Sequence, residues 1–157
     1  MNINLIAIGN KMPHWVNEGY QEFSKRLPNE FKLNLVEILA LKRTKNTNIN
    51  QIIEQEGKAL LAAVPKNNRI IVLDIEGKSW STEKLAENLQ QWREESRDIS
   101  LLIGGPEGLS DECLKKAEIK WSLSDLTFPH PLVRVIVAEQ LYRAWTILTN
   151  HPYHRGG

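Results

Sequence analysis

Residues 99–110 constrain the fold of this chain more than any other stretch. Ile99–Ile103 form a short apolar run of the length of a buried strand. Residues 104–106, Gly-Gly-Pro, then interrupt the run, because glycine permits unusual backbone angles and proline has no N–H to donate. Ser110 can cap a helix whose first turn is acidic. We therefore predict a strand, a glycine turn and a helix start, the kind of turn where open α/β sheets bind small molecules.

The turn by itself does not identify a ligand. It lacks the G-x-G-x-x-G spacing of dinucleotide-binding loops and the Gly-Lys-Ser/Thr of a Walker A loop. An ordinary connection between a strand and a helix is the alternative at this point.

Strand and helix patterns alternate along the whole chain, which predicts a parallel sheet with helices on both faces. No composition shift or linker divides the sequence, so we expect a single α/β domain over residues 1–157. The predicted strands are 2–8, 31–39, 69–75, 99–103 and 119–123, and the predicted helices are 12–23, 49–61, 81–92, 111–117 and 132–149.

Composition excludes several classes of protein. The single cysteine, Cys113, rules out a disulfide within the chain and a multi-cysteine zinc site. The chain has no apolar run of the length of a membrane span, and its first residues resemble a strand more than a signal peptide. We expect a cytoplasmic protein with no membrane partner and no metal, since His151 and His154 lack a third ligand.

The net charge of +1 is small, but the cations are unevenly distributed. No acid lies between Glu37 and Glu54, a stretch that we interpret as a mobile loop over residues 41–50. From residue 129 onwards, three arginines and three histidines accompany a single acid, Glu139. Such a basic face can bind a phosphate backbone, although solvated surface charge is the alternative for each cluster. The basic residues are Lys42, Arg43, Lys45, Arg134, Arg143 and Arg155.

The last predicted helix is apolar on more than one face, which indicates that it is buried on several sides. We expect a homodimer through this helix, and burial within one subunit is the alternative. Glu139 and Arg143 are four residues apart, in the order that favours an ion pair. Before this helix, residues 129–131 (Pro-His-Pro) predict a stiff, extended connection whose backbone could bind an adenine edge, with Pro131 near the first turn of the helix.

Several separate motifs stand out along the chain: LIGGPEGL at 102–109, WSLS at 121–124, TFPHPLVR at 127–134, EQLYRAW at 139–145 and NHPYHR at 150–155. Together they closely resemble the RlmH family of bacterial SPOUT-class methyltransferases. The match covers essentially the whole chain.

The resemblance implies a C-terminal trefoil knot, a homodimer and S-adenosylmethionine as cofactor. It also implies methylation of N3 of a pseudouridine in 23S rRNA, at position 1915 in the usual rRNA numbering, on assembled ribosomes. The implied cofactor contacts are Leu73, Gly104, Gly105, Leu123, Ser124, Asp125, Leu126, Thr127 and Phe128.

The residues that would act on RNA are predicted less sharply. Loss of the N3 proton needs an acceptor, and His130, His154 and Asp125 all remain candidates. We predict RNA contacts from Arg43, Arg134 and Arg143, and from Tyr153, His154 and Arg155 in the tail, whose side chains are of types that stack on bases and bind phosphates. The alternatives are a SPOUT enzyme acting on tRNA and a non-catalytic nucleotide- or RNA-binding module.

Overall fold

The computed structural model describes residues 1–155 and contains five strands that alternate with five helices. The predicted order of elements is therefore confirmed. Short 3-10 turns at Asn29–Phe31 and Pro152–His154 complete the described chain. The strands are β1 (Asn2–Ile8), β2 (Lys32–Ile38), β3 (Arg69–Ser79), β4 (Ile99–Ile103) and β5 (Ile119–Ser122), and the helices are α1 (His14–Ser24), α2 (Ile49–Ala62), α3 (Thr82–Glu94), α4 (Asp111–Lys116) and α5 (His130–Leu148).

All five strands belong to one parallel sheet in the order β2-β1-β4-β3-β5. The register pairs Ile3 of β1 with Leu33 on one side and with Ile99 on the other. Since every strand points the same way, all five carboxyl ends lie along one edge of the sheet, where open α/β sheets bind ligands.

Apolar side chains pack on both faces of the sheet, as predicted. One layer joins alternate residues of β1 and β4 to α1, α3 and α5. The opposite layer joins the intervening residues of the same strands to α2 and α4. Strand β4 is buried along its whole length, which explains why its sequence is almost uniformly apolar.

The sequence predicted that β3 ends before residues 76–78, but the strand extends through them. It continues to Ser79 through an irregularity between Leu73 and Lys78, where both residues pair with Trp121. Gly77 allows this path, because a Cβ there would lie 2.6 Å from the backbone of Lys120. The glycine that resembled a strand terminator marks a close approach of two backbones.

Helix α5 begins earlier than predicted. His130 and Pro131 already belong to its first turn, so only Pro129 remains extended, with ψ of 139°. Proline fits this turn because its missing N–H has no partner within the helix. The prediction of an extended connection is therefore wrong for His130, whereas the predicted place of Pro131 near the first helical turn is confirmed.

Every residue of α5 is buried or half-buried in the single subunit, because α1 and α3 pack against it. No helix within residues 1–155 has the length and apolar character needed to cross a bilayer.

Candidate active site

A cavity of about 560 Å³ opens at the carboxyl ends of β3, β4 and β5. This volume lies in the range of small-molecule sites in proteins. Eight of the nine residues predicted to contact a cofactor line it, and Asp125 is the exception. The lining residues are Leu73–Ile75, Ile103–Leu109, Leu114, Trp121–Ser124, Leu126–Phe128, His130 and Val133.

The glycine turn, residues 104–108, forms one wall of the cavity. Gly108 donates its N–H to the Gly105 carbonyl at 3.0 Å and has a φ of +91°. A Cβ added to Gly104 would lie 2.7 Å from the carbonyl carbon and oxygen of Gly108. Glycine at position 104 therefore lets the turn fold tightly back beside the end of β4.

The opposite wall is the connection after β5, and its own hydrogen bonds hold it. Ser122 donates its hydroxyl to the Ser124 carbonyl at 3.1 Å, and Leu126 donates its N–H to the Ser124 hydroxyl at 3.0 Å. Behind this wall, Trp80 stacks on Trp121 with ring centres 5.0 Å apart. The two walls present mainly apolar side chains and backbone groups to the cavity.

His130 is the one of the three candidate proton acceptors that lines the cavity. Burial lowers the pKa of His130, and the positive charges of Arg134 and Arg43 lower it further, while Glu107 opposes them. Its imidazole is therefore mostly neutral at pH 7 and able to accept a proton. Asp125 is exposed, and His154 lies in the tail.

Arg43 is not a free cation on a mobile loop. Each of its five N–H groups has an acceptor: Glu107 and Glu56 at 2.7–3.1 Å, and the Leu41 carbonyl at 2.9 Å. Glu56 on α2 is only 4% exposed. We call Arg43, Glu56 and Glu107 the Arg43 cluster. All five Arg43 donors are occupied by the protein in this structure, and the contact of Arg43 with RNA phosphate stays a prediction.

Arg134 likewise has an internal role. Its side chain is 1% exposed, donates to Glu37 at 2.6 Å and donates to the Gly9 carbonyl at 2.7 Å. These bonds hold the start of α5 against the carboxyl ends of β1 and β2. The guanidinium is buried and paired within the protein, and the contact of Arg134 with RNA phosphate stays a prediction.

Residues 149–155, the C-terminal tail, fold back on α5. Arg143 pairs with Glu139 at 2.9 Å, which confirms the predicted ion pair, and its guanidinium lies over the Tyr153 ring. The Tyr153 hydroxyl donates to Glu139, and His154 contacts Arg143 and Glu83. The hydrogen bond with His154 of the same chain lowers the pKa of Glu83.

The tail residues do not line the cavity of their own chain. Because an α-helix rises 1.5 Å per residue, His130 and Arg143 lie roughly 20 Å apart along α5. Arg155 is exposed, and residues 156–157 lie outside the described part of the chain.

Sequence reasoning did not single out Glu56, Glu107 or Lys11. Glu107 was inside the glycine motif, but its partner is 64 residues away and no local pattern links the two. Lys11 is exposed in the connection after β1, and Lys42 and Lys45 are exposed after β2. Within residues 1–155, no three side chains of His, Cys, Asp or Glu come together in a way that could hold a metal ion.

Comparison with known proteins agrees with this geometry. Two solved structures share the fold: a methylase family protein from Haemophilus influenzae Rd KW20 and another from Neisseria gonorrhoeae. The first has a TM-score of 0.55 and 12% identity over 98% of this chain and 70% of that one. The second has a TM-score of 0.51 and 11% identity over 90% and 82%. Residues 1–154 match the sequence model of the family described as "Predicted SPOUT methyltransferase", and the chain therefore belongs to the SPOUT methyltransferase family.

Proposed function

We propose that this methyltransferase uses S-adenosylmethionine to methylate N3 of a pseudouridine, position 1915 of 23S rRNA, on assembled ribosomes. The observation that supports a methyl-transfer site most directly is the cavity at the carboxyl ends of β3, β4 and β5 in a chain of the SPOUT family. The target nucleotide rests on the resemblance of the motifs at 102–109, 127–134 and 150–155 to the RlmH family.

The residues present fit the proposed cofactor. Leu73, Leu123 and Phe128 supply apolar surface for a purine ring, and Gly104 leaves room at the turn. Glu107 of the Arg43 cluster lines the cavity, and its carboxylate favours a cationic ligand there. When bound, S-adenosylmethionine supplies a methyl group already activated by a positive sulfur.

Family membership also supports the prediction that the C-terminal segment forms a trefoil knot.

We infer that His130 accepts the N3 proton. A general base needs to reach the proton and to be unprotonated. The place of His130 in the cavity lining and its lowered pKa support this role. His130 would hold the proton that N3 loses, on one of its ring nitrogens, while the bound cofactor would supply the methyl group. The walls of the cavity orient the reacting groups and exclude part of the solvent, which itself lowers the barrier.

Exposed lysines join the arginines as our proposed phosphate contacts. Lys11, Lys42 and Lys45 follow the adjacent strands β1 and β2 at the same edge of the sheet as the cavity. Long flexible ammonium groups suit phosphate contacts that have no fixed geometry. The basic edge is small, which favours a target held in place by a larger assembly such as the ribosome.

We also propose a homodimer in which the tail of one subunit completes the RNA site of the other. In a single subunit the tail packs beside Glu139 and Arg143, which lie about 14 and 20 Å from His130 along α5. On α1, Trp15 shares a helix face with Gly19, which packs against Val135 of α5, yet Trp15 is 54% exposed. A second copy would cover this apolar surface and bring Tyr153, His154 and Arg155 to a partner's cavity.

Methyl transfer from labelled S-adenosylmethionine tests the proposal. Ribosomes, naked rRNA and tRNA from cells that lack the endogenous activity would serve as acceptors. We expect label on one pseudouridine of assembled ribosomes. Label on tRNA alone would overturn the ribosomal target, and cofactor binding with no transfer would point to a different acceptor. Failure to bind the cofactor at all would support a non-catalytic module.

A further inference from the structure

The Arg43 cluster joins three parts of the molecule that are distant in sequence. Arg43 belongs to the connection between β2 and α2, Glu56 to α2, and Glu107 to the glycine turn. Since all five guanidinium N–H groups donate to these parts, Arg43 is the atomic link between the basic loop (residues 39–48) and one wall of the cavity.

Glu56 provides the fixed point of this link. It is buried on a regular helix that the Asn48 side chain caps, and it accepts bonds from Arg43 and from the Leu41 N–H at 3.0 Å. A buried carboxylate requires partners of this kind, because leaving it unpaired is costly. The basic loop therefore takes its position from the body of the protein.

The glycine turn is fitted to the same guanidinium. A Cβ on Gly105 would lie 3.1 Å from Arg43 Nη2 and 3.3 Å from Glu56 Oε1. Glu107 receives both Nε and Nη2 of Arg43, a paired geometry that lysine does not reproduce. The bonds from Arg43 also lower the pKa of Glu107, so its carboxylate stays ionised at neutral pH.

We propose that Arg43 is a positioning residue that couples RNA binding to cofactor binding. It holds the exposed Lys42 and Lys45 and the glycine turn in one arrangement, so that the phosphate contacts and the cofactor wall form together. The coupling rests on the proposed function, although the mechanical link exists in the protein without ligands. Breaking the cluster should loosen the basic loop and the glycine turn at the same time.

Two conservative variants test this link, Glu107→Gln and Arg43→Lys. Glu118→Gln is the matched control, since Glu118 also receives a paired arginine, Arg97, but at the amino ends of the strands. Trypsin digestion of the ligand-free protein measures the loop, because Lys42 and Lys45 are cleavage sites in every variant. Titration with S-adenosylmethionine measures the cofactor affinity, which depends on the position of the glycine turn. Comparison of the KM for ribosomes with kcat measures how far RNA binding depends on the same link.

We expect about tenfold faster cleavage after Lys42 or Lys45 in both variants, about tenfold weaker cofactor binding, and a raised KM for ribosomes with a smaller change in kcat. The double variant should be little worse than either single one, because both break the same link. Cleavage and binding like those of Glu118→Gln would overturn the inference, as would additive effects. A wild-type protein that binds no cofactor would instead overturn the proposed function, and the digestion would still decide whether Arg43 holds the loop.

Discussion

The two edges of the sheet use the same ionic chemistry to different ends. At the amino edge, Arg97 pairs with Glu118 at 2.8 Å and both side chains are more than a third exposed. At the carboxyl edge, Arg43 pairs with a nearly buried Glu56, and Arg134 itself is buried against Glu37. Exposed ion pairs contribute little to the free energy of unfolding, whereas removing the partner of a buried charge lowers it by about 3 kcal/mol. The comparison indicates that the ion pairs at the carboxyl edge hold the residues around the cavity in fixed positions, whereas the exposed pair at the amino edge only joins neighbouring strand starts.

Backbone groups show the same contrast. The amino edge is closed by acidic residues at the strand starts: Asp98 accepts the Asn2 N–H at 2.9 Å and Glu118 accepts the Ile70 N–H at 3.2 Å. At the carboxyl edge, the ends of β3, β4 and β5 surround a cavity instead. Substitutions of similar chemistry at the two edges should therefore have different consequences.

The largest expected effect is that of His130→Asn at the carboxyl edge. Losing the proton acceptor should lower kcat by about 10²- to 10⁴-fold while cofactor affinity stays the same. His14→Asn is the control, since His14 is exposed on α1 and pairs with Glu18. Single-turnover methyl transfer, together with a cofactor titration, measures both quantities. Equal rates for the two variants would exclude His130 as the acceptor.

The pH profile sharpens the same test. The base must be unprotonated, and burial lowers the pKa of His130 below its ordinary value of about 6.5. The wild-type rate should therefore persist through pH 6.5 and fall only at more acidic pH. His130→Asn should lack this acidic decline in kcat/KM.

The ion pair between the buried Arg134 and the exposed Glu37 should show the next largest effect. Glu37→Gln leaves a buried guanidinium without its counter-charge, which should lower the free energy of unfolding by about 3 kcal/mol. Urea denaturation measures this value, with Glu118→Gln as the matched substitution at the amino edge. A loss below about 1 kcal/mol would mean that the carbonyls of Ile8 and Gly9 suffice for Arg134.

Gly104→Ala should weaken cofactor binding by about tenfold or more, which is about 1.4 kcal/mol. The added methyl group would meet the Gly108 backbone, so the turn must move away from its position in the cavity wall. Gly108→Ala is the comparison: it meets no atom within 4 Å and suffers only the strain of its positive φ. Calorimetric titration of both variants distinguishes a displaced wall from a strained one.

The smallest expected effect belongs to the amino edge. Arg97→Lys should lower the free energy of unfolding only slightly at pH 7, and leave cofactor binding unchanged. The bonds from Arg97 lower the pKa of Glu118. The pair therefore contributes fully above the ordinary glutamate pKa, and its contribution disappears as the pH falls through the lowered value. Denaturation curves of the variant and the wild type should converge in acid, and a difference that persists there would contradict an ionic cause.

Local patterns predicted the elements well. Ile99–Ile103 is a buried strand, and Ser110 caps the following helix by accepting the Cys113 N–H at 3.1 Å. Ser81 caps α3 in the same way. These features depend on residues within a few positions of each other, so the sequence displays them directly.

Side-chain partners across the fold were not predictable in this way. Arg43 and Arg134 look like surface cations in the sequence, yet each is paired with a residue more than ten positions away. Gly77 looked like the end of a strand because the neighbouring sequence does not show that the backbone of Lys120 lies beside it. All three residues make contacts between elements that are distant in the sequence, and local patterns do not show which elements lie side by side.

The sequence by itself determined the alternation of strands and helices, the helix caps and the glycine turn, because these follow from short-range periodicity. The eight predicted residues that line the cavity came from the resemblance to the RlmH family. Only the tertiary structure decided the strand order, the extension of β3, the entry of His130 into both α5 and the cavity, and the burial of two arginines. Burial depends on which elements pack together, and it turns a charge that could bind a ligand into one that holds the protein's own parts in place.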